Sequence, residues 1–205
     1  MPQTEAQLEA ELIGMSFSYK KGLAYYIPLS EKREEVLETL EIFRPLFEKE
    51  EILKIAHNLK FDYKVLKRYG IEVQGAIFDT MIAHYLLNPD GRHGMDYLSE
   101  IYLNYKPVSI ETLIGKGKNQ VTLREVSIEE QTNYAAEDAD ITWQLYELFA
   151  PQLQKENLQD LFYKVEMPLM KVLAKMELEG ASLDKNWLAQ ESKDLENDLR
   201  ELEKK

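Results

Sequence analysis

With 205 residues, of which 44% are hydrophobic, the chain is long enough for one complete domain and an additional segment. A formal net charge of -12 disfavours a broad basic surface for duplex nucleic acid, and the absence of cysteine excludes disulfides and thiolate sites. The sequence has no apolar run that could span a bilayer and no signal peptide, so we expect a cytoplasmic protein without membrane contacts.

The chain begins with a pattern typical of a β-hairpin followed by a helix. Two apolar runs, at residues 12–19 and 23–29, predict strands that a polar turn separates. Residues 31–49 have a helical apolar period, and Ser30 is a suitable N-cap. A third strand is predicted over residues 52–56.

The alternation of strands and helices then continues. Residues 58–69 and 79–87 predict helices on either side of a short strand at residues 73–78. This alternation indicates an α/β fold in which a mixed β-sheet is flanked by helices. Residues 88–120 contain several glycines and predict short helices and loops.

The second half of the chain predicts helices only. One long helix containing Tyr134 is expected to break at Pro151, and residues 156–179 predict another helix with a kink at Pro168. Residues 184–205 predict an amphipathic helix, whose leucines lie at heptad-like spacing.

One helical segment places an acid where an apolar residue is expected. Tyr134 and Asp138 lie one turn apart and share a helix face with Ile141 and Leu145. A carboxylate on such a face favours a cation as its partner. The alternative is a solvated acid beside Glu137, and the spacing alone does not separate the two interpretations.

The segment at residues 57–62 repeats this arrangement. Asn58 and Asp62 lie four residues apart, and Asp62 interrupts an apolar face. The alternative for Asp62 is a first-turn acid that the helix dipole stabilises. Two helices that each place an acid on an apolar face favour a shared acidic site, suited to Mg²⁺ or Mn²⁺. Asp79 follows a predicted strand, and its position favours a capping role outside the site.

The remaining polar motifs are weaker. The three histidines form no His-x-x-x-His pair, so we expect packed or surface residues and no zinc site. Residues 115–120 lack the spacing of a phosphate-binding loop. Four basic residues give this acidic chain local positive spots where a phosphodiester backbone could pass: Arg92, Lys116, Lys118 and Arg124.

Four segments together resemble the 3′-5′ exonuclease domain of bacterial DNA polymerase I, a member of the DEDD superfamily in its tyrosine subclass. They are HNLKFD at 57–62, FDTMIAHYLLNPDGRHGMDYLSE at 78–100, IGKGKNQVTL at 114–123 and NYAAEDADIT at 133–142. The resemblance implies a ribonuclease H-like exonuclease domain over residues 1–154. It continues through residues 165–184, which implies that residues 155–205 are a helical extension, the start of a polymerase domain.

The resemblance also implies roles for individual residues. Asp62 matches the acid of the family's second motif, Asp138 the metal-binding acid of the third, and Tyr134 the tyrosine that orients the attacking water. The positions that match contacts with the frayed primer end are Asn58, Phe61, Arg92 and Ile110. The implied reaction is two-metal hydrolysis at the 3′ end of single-stranded DNA, with Mg²⁺ or Mn²⁺.

The family's first motif, Asp-x-Glu on the opening strand, is matched only weakly by Gln3-Thr4-Glu5, in which a neutral Gln replaces the Asp. We therefore expect the opening strand to be missing or degenerate, the two-metal site to be incomplete and DNA hydrolysis to be weak or absent. A missing strand leaves a sheet edge unpaired. We expect residues 1–10, or a second copy of the chain in a homodimer, to cover this edge.

Three functional interpretations remain. The first is a proofreading exonuclease domain that acts with the rest of a polymerase. The second is a non-catalytic module of the same fold that supports a polymerase or binds single strands, and the retained Tyr134, Asp138 and Asp62 favour the first over it. The third is an acidic helical interaction protein, which the leucines of the last predicted helix suggest.

Overall fold

The computed structural model describes residues 11–117 and 120–204, and its first element is the predicted hairpin. Strands β1 (Gly14–Lys20) and β2 (Leu23–Pro28) pair antiparallel around a turn at Gly22, whose φ of 75° suits a residue without a side chain. The ring of Tyr26 lies so close to the β1 backbone that any side chain at its first residue would overlap it. The hairpin prediction is confirmed.

Helix α1 (Arg33–Glu48) follows the hairpin and buries Val36 and Leu40. The predicted N-cap is wrong, because the helix begins after Lys32. The Ser30 hydroxyl instead accepts a hydrogen bond from the Lys32 N–H at 3.1 Å. Ser30 therefore shapes the turn that precedes the helix.

A parallel strand pair forms a second sheet. Strands β3 (Lys54–Ala56) and β4 (Ile77–Asp79) each have three residues, and helix α2 (Leu59–Arg68) follows β3. The strand predicted over residues 73–78 is therefore shorter than expected. Gly75, with a φ of 70°, interrupts the extended backbone before β4 begins.

Short helices connect this part to the long helix. Helix α3 starts directly after β4, and the elements that follow it have three to five residues each. In order they are α3 (Thr80–Leu87), α4 (Met95–Leu98), a π-helix (Ser99–Leu103), α5 (Ile110–Ile114) and a 3₁₀-helix (Leu123–Glu125). The predicted texture of short helices and loops is confirmed for the described residues.

Helix α6 (Ile128–Lys155) has 28 residues and packs against both strand pairs. The break predicted at Pro151 is wrong. A proline this close to the helix end removes only one intrahelical hydrogen bond, and Leu153, which is buried in the core, anchors the following turn. Ile141 and Leu145 are buried, so the predicted core-facing stripe of this helix is confirmed.

The next helical stretch consists of α7 (Gln159–Leu161), a π-helix (Phe162–Glu166) and α8 (Met167–Glu179). Pro168 occupies the first turn of α8, a position that tolerates proline. The irregular geometry that we expected at Pro168 therefore lies just before it, as the π-helix. Gly180 ends α8 with a φ of 73°.

Helix α9 (Lys185–Glu203) confirms the predicted amphipathic helix and has no buried residue. Its leucine stripe is 46% to 64% exposed: Leu188, Leu195, Leu199 and Leu202. None of the helices within residues 11–117 and 120–204 is long and apolar enough to cross a membrane.

The described strands form two separate two-stranded sheets instead of the single mixed sheet that we predicted. Both kinds of pairing are present, but no described strand hydrogen-bonds to both pairs. Helix α6 joins them into one core, in which Phe78 of β4 contacts Tyr146 and Phe162 at 4.9 and 4.7 Å between ring centroids. The expected loss of the opening strand, and its replacement by residues 1–10, concern a segment outside the described residues.

Candidate active site

One buried carboxylate holds the start of α2 against the end of β4. Asp79 accepts hydrogen bonds from the N–H groups of Met81 and Ile82 in α3 and of Asn58 and Leu59 at the start of α2, at 2.7 to 3.3 Å. Burial raises the pKa of Asp79, and these four hydrogen bonds oppose that shift. The predicted capping role is confirmed, and Asp79 also determines where α2 begins.

Asp62 lies in the first turn of α2 but is exposed to solvent, so its predicted position on a buried face is wrong. The buried face of α2 instead includes Lys64, whose ammonium pairs with Glu177 of α8 at 2.6 Å. Crowding by protein atoms and the nearby Asp79 carboxylate raise the pKa of Asp62 to about 7. Water reaches the exposed carboxylate, however, and its screening works against this shift.

Helix α6 places Tyr134 and Asp138 together as the sequence predicts, and both side chains are half-buried. The Tyr134 hydroxyl donates a hydrogen bond to the Asp138 carboxylate. Burial raises the pKa of Asp138 to about 6, although the Tyr134 hydrogen bond opposes this shift. Burial and the Asp138 charge raise the pKa of Tyr134, so the phenol stays protonated at neutral pH.

Two further acids influence this pair: Glu137, the sequence neighbour of Asp138, and Asp96, to which no local pattern pointed. Asp96 in α4 and Glu137 in α6 both raise the pKa values of Tyr134 and Asp138 through their charge. Glu137 also accepts hydrogen bonds from the Tyr105 hydroxyl and a backbone N–H, so it tethers the loop before α5. A long stretch of chain separates Asp96 from Asp138, which is why no local pattern indicated their proximity.

Asp62 and Asp138 have different electrostatic neighbours. Asp62 interacts with Asp79, whereas Asp138 interacts with Asp96 and Glu137. Within residues 11–117 and 120–204, no group of three His, Asp or Glu side chains is arranged to hold a metal ion. Within the described part of the chain, Asp62 and Asp138 are therefore not joined by a third acid or histidine into a metal-binding cluster.

The four residues matched to DNA contacts are only partly brought together. Asn58 precedes α2 with a φ of 64°, and Phe61 packs against the core from the first turn of the same helix. Both lie beside Asp62 in the chain. Arg92 is exposed in the loop after α3, and Ile110 begins α5 half-buried.

The predicted positive spots are largely occupied by structural contacts. Arg124 donates hydrogen bonds to three backbone carbonyls, those of Leu12, Leu29 and Ser30. Lys116 pairs with Glu111. Lys118 lies outside the described residues, and Arg92 remains exposed.

The three histidines lie close together, although His57 is well separated from His84 and His93 in the sequence. His57 Nδ1 is 2.8 Å from the Thr80 hydroxyl, and the Nδ1 atoms of His84 and His93 are 2.7 Å apart. His84 Nε2 lies 3.1 Å from the Tyr102 hydroxyl. Burial lowers the pKa of His57 to about 4 and lowers that of His84. The cluster is therefore packed and uncharged at its centre, in agreement with the prediction of packed residues.

Comparison with known families gives one match over most of the chain. A family described as 3′-5′ exonuclease matches residues 3–154.

Curated relatives agree with this match. DNA polymerase I of Borreliella burgdorferi is 40% identical over 182 residues, which cover 87% of this chain and 20% of that protein. DNA polymerase I of Rhizobium leguminosarum is 36% identical over 220 residues, which cover 96% of this chain and 22% of that protein. The chain thus spans only about a fifth of the length of these relatives.

Solved structures share the fold. The POL domain of Pol1 from M. smegmatis, in complex with a DNA primer-template and dNTP, has a TM-score of 0.70 at 20% identity and covers 88% of this chain and 28% of that one. Brucella melitensis NrnC with bound Mg²⁺ has a TM-score of 0.61 at 21% identity and covers 80% of this chain and 75% of that one. These likenesses show that the chain shares its α/β fold with both structures.

Proposed function

Because the chain belongs to the 3′-5′ exonuclease family, as a homologue of the exonuclease region of bacterial DNA polymerase I, we propose that it removes 3′-terminal nucleotides from single-stranded or mismatched DNA. The observation that carries this proposal is the pair formed by Tyr134 and Asp138 on α6. The phenol and the carboxylate are hydrogen-bonded, half-buried and surrounded by further negative charge.

In this proposal Tyr134 orients the attacking water. Its raised pKa keeps the hydroxyl protonated, so it donates to Asp138 while its oxygen is able to accept a hydrogen bond from water. Asp138, with a pKa near 6, is mainly ionised above neutral pH. The pair therefore holds a water and a negative charge in fixed relation, which is what hydrolysis at a phosphodiester requires.

Asp138 and Asp62 are the residues that we propose as ligands for Mg²⁺ or Mn²⁺. Carboxylate oxygens suit these cations, and Mg²⁺ commonly takes one or two carboxylates together with substrate phosphates. Burial raises the pKa of Asp138, crowding by protein atoms raises that of Asp62, and like charges add to both shifts. A divalent cation opposes these shifts because it stabilises the ionised carboxylates. When bound, such an ion polarises water and neutralises charge on the leaving 3′ oxygen.

The start of α2 is the proposed contact for the terminal nucleotide. Asn58 and Phe61 precede Asp62 in this segment, and Asp79 fixes its backbone through two hydrogen bonds. The exposed Arg92 supplies a cation for a phosphate, and Ile110 supplies an apolar contact for a base. We propose these roles from the sequence resemblance at each of these positions.

Digestion of a 5′-labelled single-stranded oligonucleotide with Mg²⁺ or Mn²⁺ tests the function. We expect 3′-end laddering that Asp138→Ala abolishes and Tyr134→Phe reduces about 10- to 100-fold. Asp90→Ala, at an exposed loop position, is the control and should leave the laddering unchanged. Laddering of full strength in Asp138→Ala would contradict the proposal.

A second candidate function is a non-catalytic module that binds single strands in support of a polymerase. The observation that favours it is that no three potential ligands converge within the described residues. For the same reason we expect hydrolysis by the first candidate to be weak. Calorimetric titration with a dinucleotide monophosphate and Mn²⁺ separates the two, because binding without any hydrolysis supports the module and turnover supports the nuclease.

We also propose that residues 1–154 form the exonuclease domain and that residues 155–205 begin a polymerase domain. The family match ends at residue 154, whereas a polymerase relative aligns over 96% of the chain. Homodimer formation through an unpaired strand edge remains a further proposal, since each described sheet has only two strands. A strict monomer in size-exclusion chromatography at high concentration would contradict it.

A further inference from the structure

The far end of the hairpin carries an exposed pair of aromatic rings. Tyr19 of β1 and Tyr25 of β2 stack with their ring centroids 6.1 Å apart and their planes within 16° of parallel. Their hydroxyl oxygens are 3.4 Å apart, and the residues are 62% and 48% exposed. Two tyrosine rings therefore stand together at the surface.

An irregularity in β1 directs the first of these rings. The strand ladder pairs Ser18 with Ala24 and Lys20 with Leu23, so Tyr19 is an extra residue in a β-bulge. A bulge changes the direction of the side chain that it carries and is found where a strand serves a specific contact. Here the bulge places the Tyr19 ring alongside its neighbour.

The same face of the hairpin is packed further along the strands. Phe17 lies directly opposite Tyr25 in the ladder, so the two share a face, and Phe17 stacks on Phe43 of α1 at 5.6 Å. The face is thus covered by α1 at Phe17 and open at the tyrosine pair. The aromatic surface of the hairpin therefore continues past the part that α1 covers and ends in the exposed rings of Tyr19 and Tyr25.

Two cations lie next to the open rings. Lys20 ends β1 and Lys21 begins the turn; both are exposed and make no ion pair with any residue in the described ranges. They contrast with Lys116 and Arg124, whose charges are occupied elsewhere. In a chain with a net charge of -12, this turn is a local positive spot.

The turn is attached to the helix that carries the candidate site. The Gly22 N–H donates a hydrogen bond to Asp140 Oδ1 at 2.6 Å, and Asp140 follows Asp138 by two residues in α6. A groove of about 670 Å³ lies between the turn and α6 and is also lined by Tyr105 and Asn133. The hairpin end is therefore held against the α6 face that carries Asp140, on the same helix as Asp138.

We propose that Tyr19, Tyr25, Lys20 and Lys21 form a docking platform for single-stranded DNA. Unpaired bases stack on aromatic rings while lysines bind the phosphates, and both kinds of group are present here without competing contacts. Duplex DNA does not fit, because its base faces are covered by stacking within the helix. The inference rests on the proposed nuclease function, since the ligand is the strand on which that nuclease acts.

The platform is tested by fluorescence anisotropy of a labelled twelve-nucleotide oligo(dT). The titration is carried out in EDTA, so that no hydrolysis occurs. The Tyr19→Ala/Tyr25→Ala variant should bind at least about fivefold more weakly than wild type, since stacking of one base has an effect of this size or larger. Tyr19→Phe/Tyr25→Phe keeps both rings and should bind like wild type. Lys20→Ala/Lys21→Ala should weaken binding and reduce its salt dependence.

Matched controls are Tyr97→Ala, at another exposed tyrosine, and Lys185→Ala/Lys193→Ala on α9. Equal binding by wild type and the double tyrosine-to-alanine variant would overturn the platform, and so would a preference for a duplex of the same length. Absence of wild-type binding would also overturn it. The 3′-end digestion assay is read separately, so laddering without platform-dependent binding leaves the proposed function standing.

Discussion

Two acidic regions of the molecule differ in how far the fold satisfies their carboxylates. At the end of β4, Asp79 is 1% exposed and accepts four backbone hydrogen bonds. In the middle of α6, Asp138 has one hydroxyl donor, and Asp96 and Glu137 add like charge. The first carboxylate is fully used in holding two helix starts. The second retains capacity for a proton or a cation, which is the physical difference between a structural acid and a candidate catalytic one.

Removing the structural acid tests the comparison most strongly. Asp79→Ala leaves four N–H groups without their acceptor, two of them at the start of α2. Each unsatisfied buried donor is costly, so we expect the free energy of unfolding to fall by about 3 kcal/mol or more. Urea denaturation monitored by circular dichroism measures the change. Asp90→Ala is the control, and a loss below about 1 kcal/mol for Asp79→Ala would show that the anchor is unimportant.

A buried cation extends the comparison to the opposite charge. Lys64 is 5% exposed, and Glu177 of α8 pairs with both Lys64 and Lys60 at 2.6 Å. Glu177→Ala leaves the Lys64 charge buried and unpaired, so we expect a loss of about 2 kcal/mol in unfolding free energy. The matched control is Glu196→Ala, whose exposed pair with Arg200 should contribute less than about 1 kcal/mol.

Chemical denaturation of both variants at the same pH gives this comparison directly. Equal effects of Glu177→Ala and Glu196→Ala would mean that burial of Lys64 does not matter. Addition of Lys64→Met to Glu177→Ala should restore stability, because no buried charge then lacks a partner.

How much of the fold and of the candidate site could be predicted from the sequence depends on how far apart in the chain the interacting residues are. The Tyr134–Asp138 pair and the buried stripe of α6 were predictable, because helical spacing is a local property. The exposed position of Asp62 was not, since the buried face of α2 depends on Glu177, more than a hundred residues away. The effect of Asp96 on Asp138 and the approach of His57 to His84 and His93 also join distant segments, and no local pattern encodes them.

Removing the charge of Asp138 should raise the stability of the protein, whereas removing Asp79 should lower it. The pKa of Asp138 rises from 3.8 to about 6 on folding. The folded state therefore binds this proton more tightly than the unfolded chain does. The resulting stability is complete below pH 4 and is lost as the pH rises through 6. Asp138→Asn removes this penalty and should stabilise the protein at pH 8 in EDTA by up to about 2 kcal/mol. At pH 4 the variant and wild type should be equal. Destabilisation at pH 8 would mean that the ionised carboxylate makes contacts that outweigh its burial.

Asp62→Asn completes the series with the smallest expected effect. Its pKa is raised in the same direction as that of Asp138, so neutralising it should also stabilise the protein above pH 7 and not near pH 4. The side chain is exposed, however, and water screens the charge, so the gain at pH 8 should stay below about 1 kcal/mol. Thermal unfolding of Asp62→Asn and Asp138→Asn across this pH range measures both effects. A larger gain for Asp62→Asn would show that crowding beside Asp79 outweighs solvent access, and that α2, rather than α6, carries the more strongly perturbed acid.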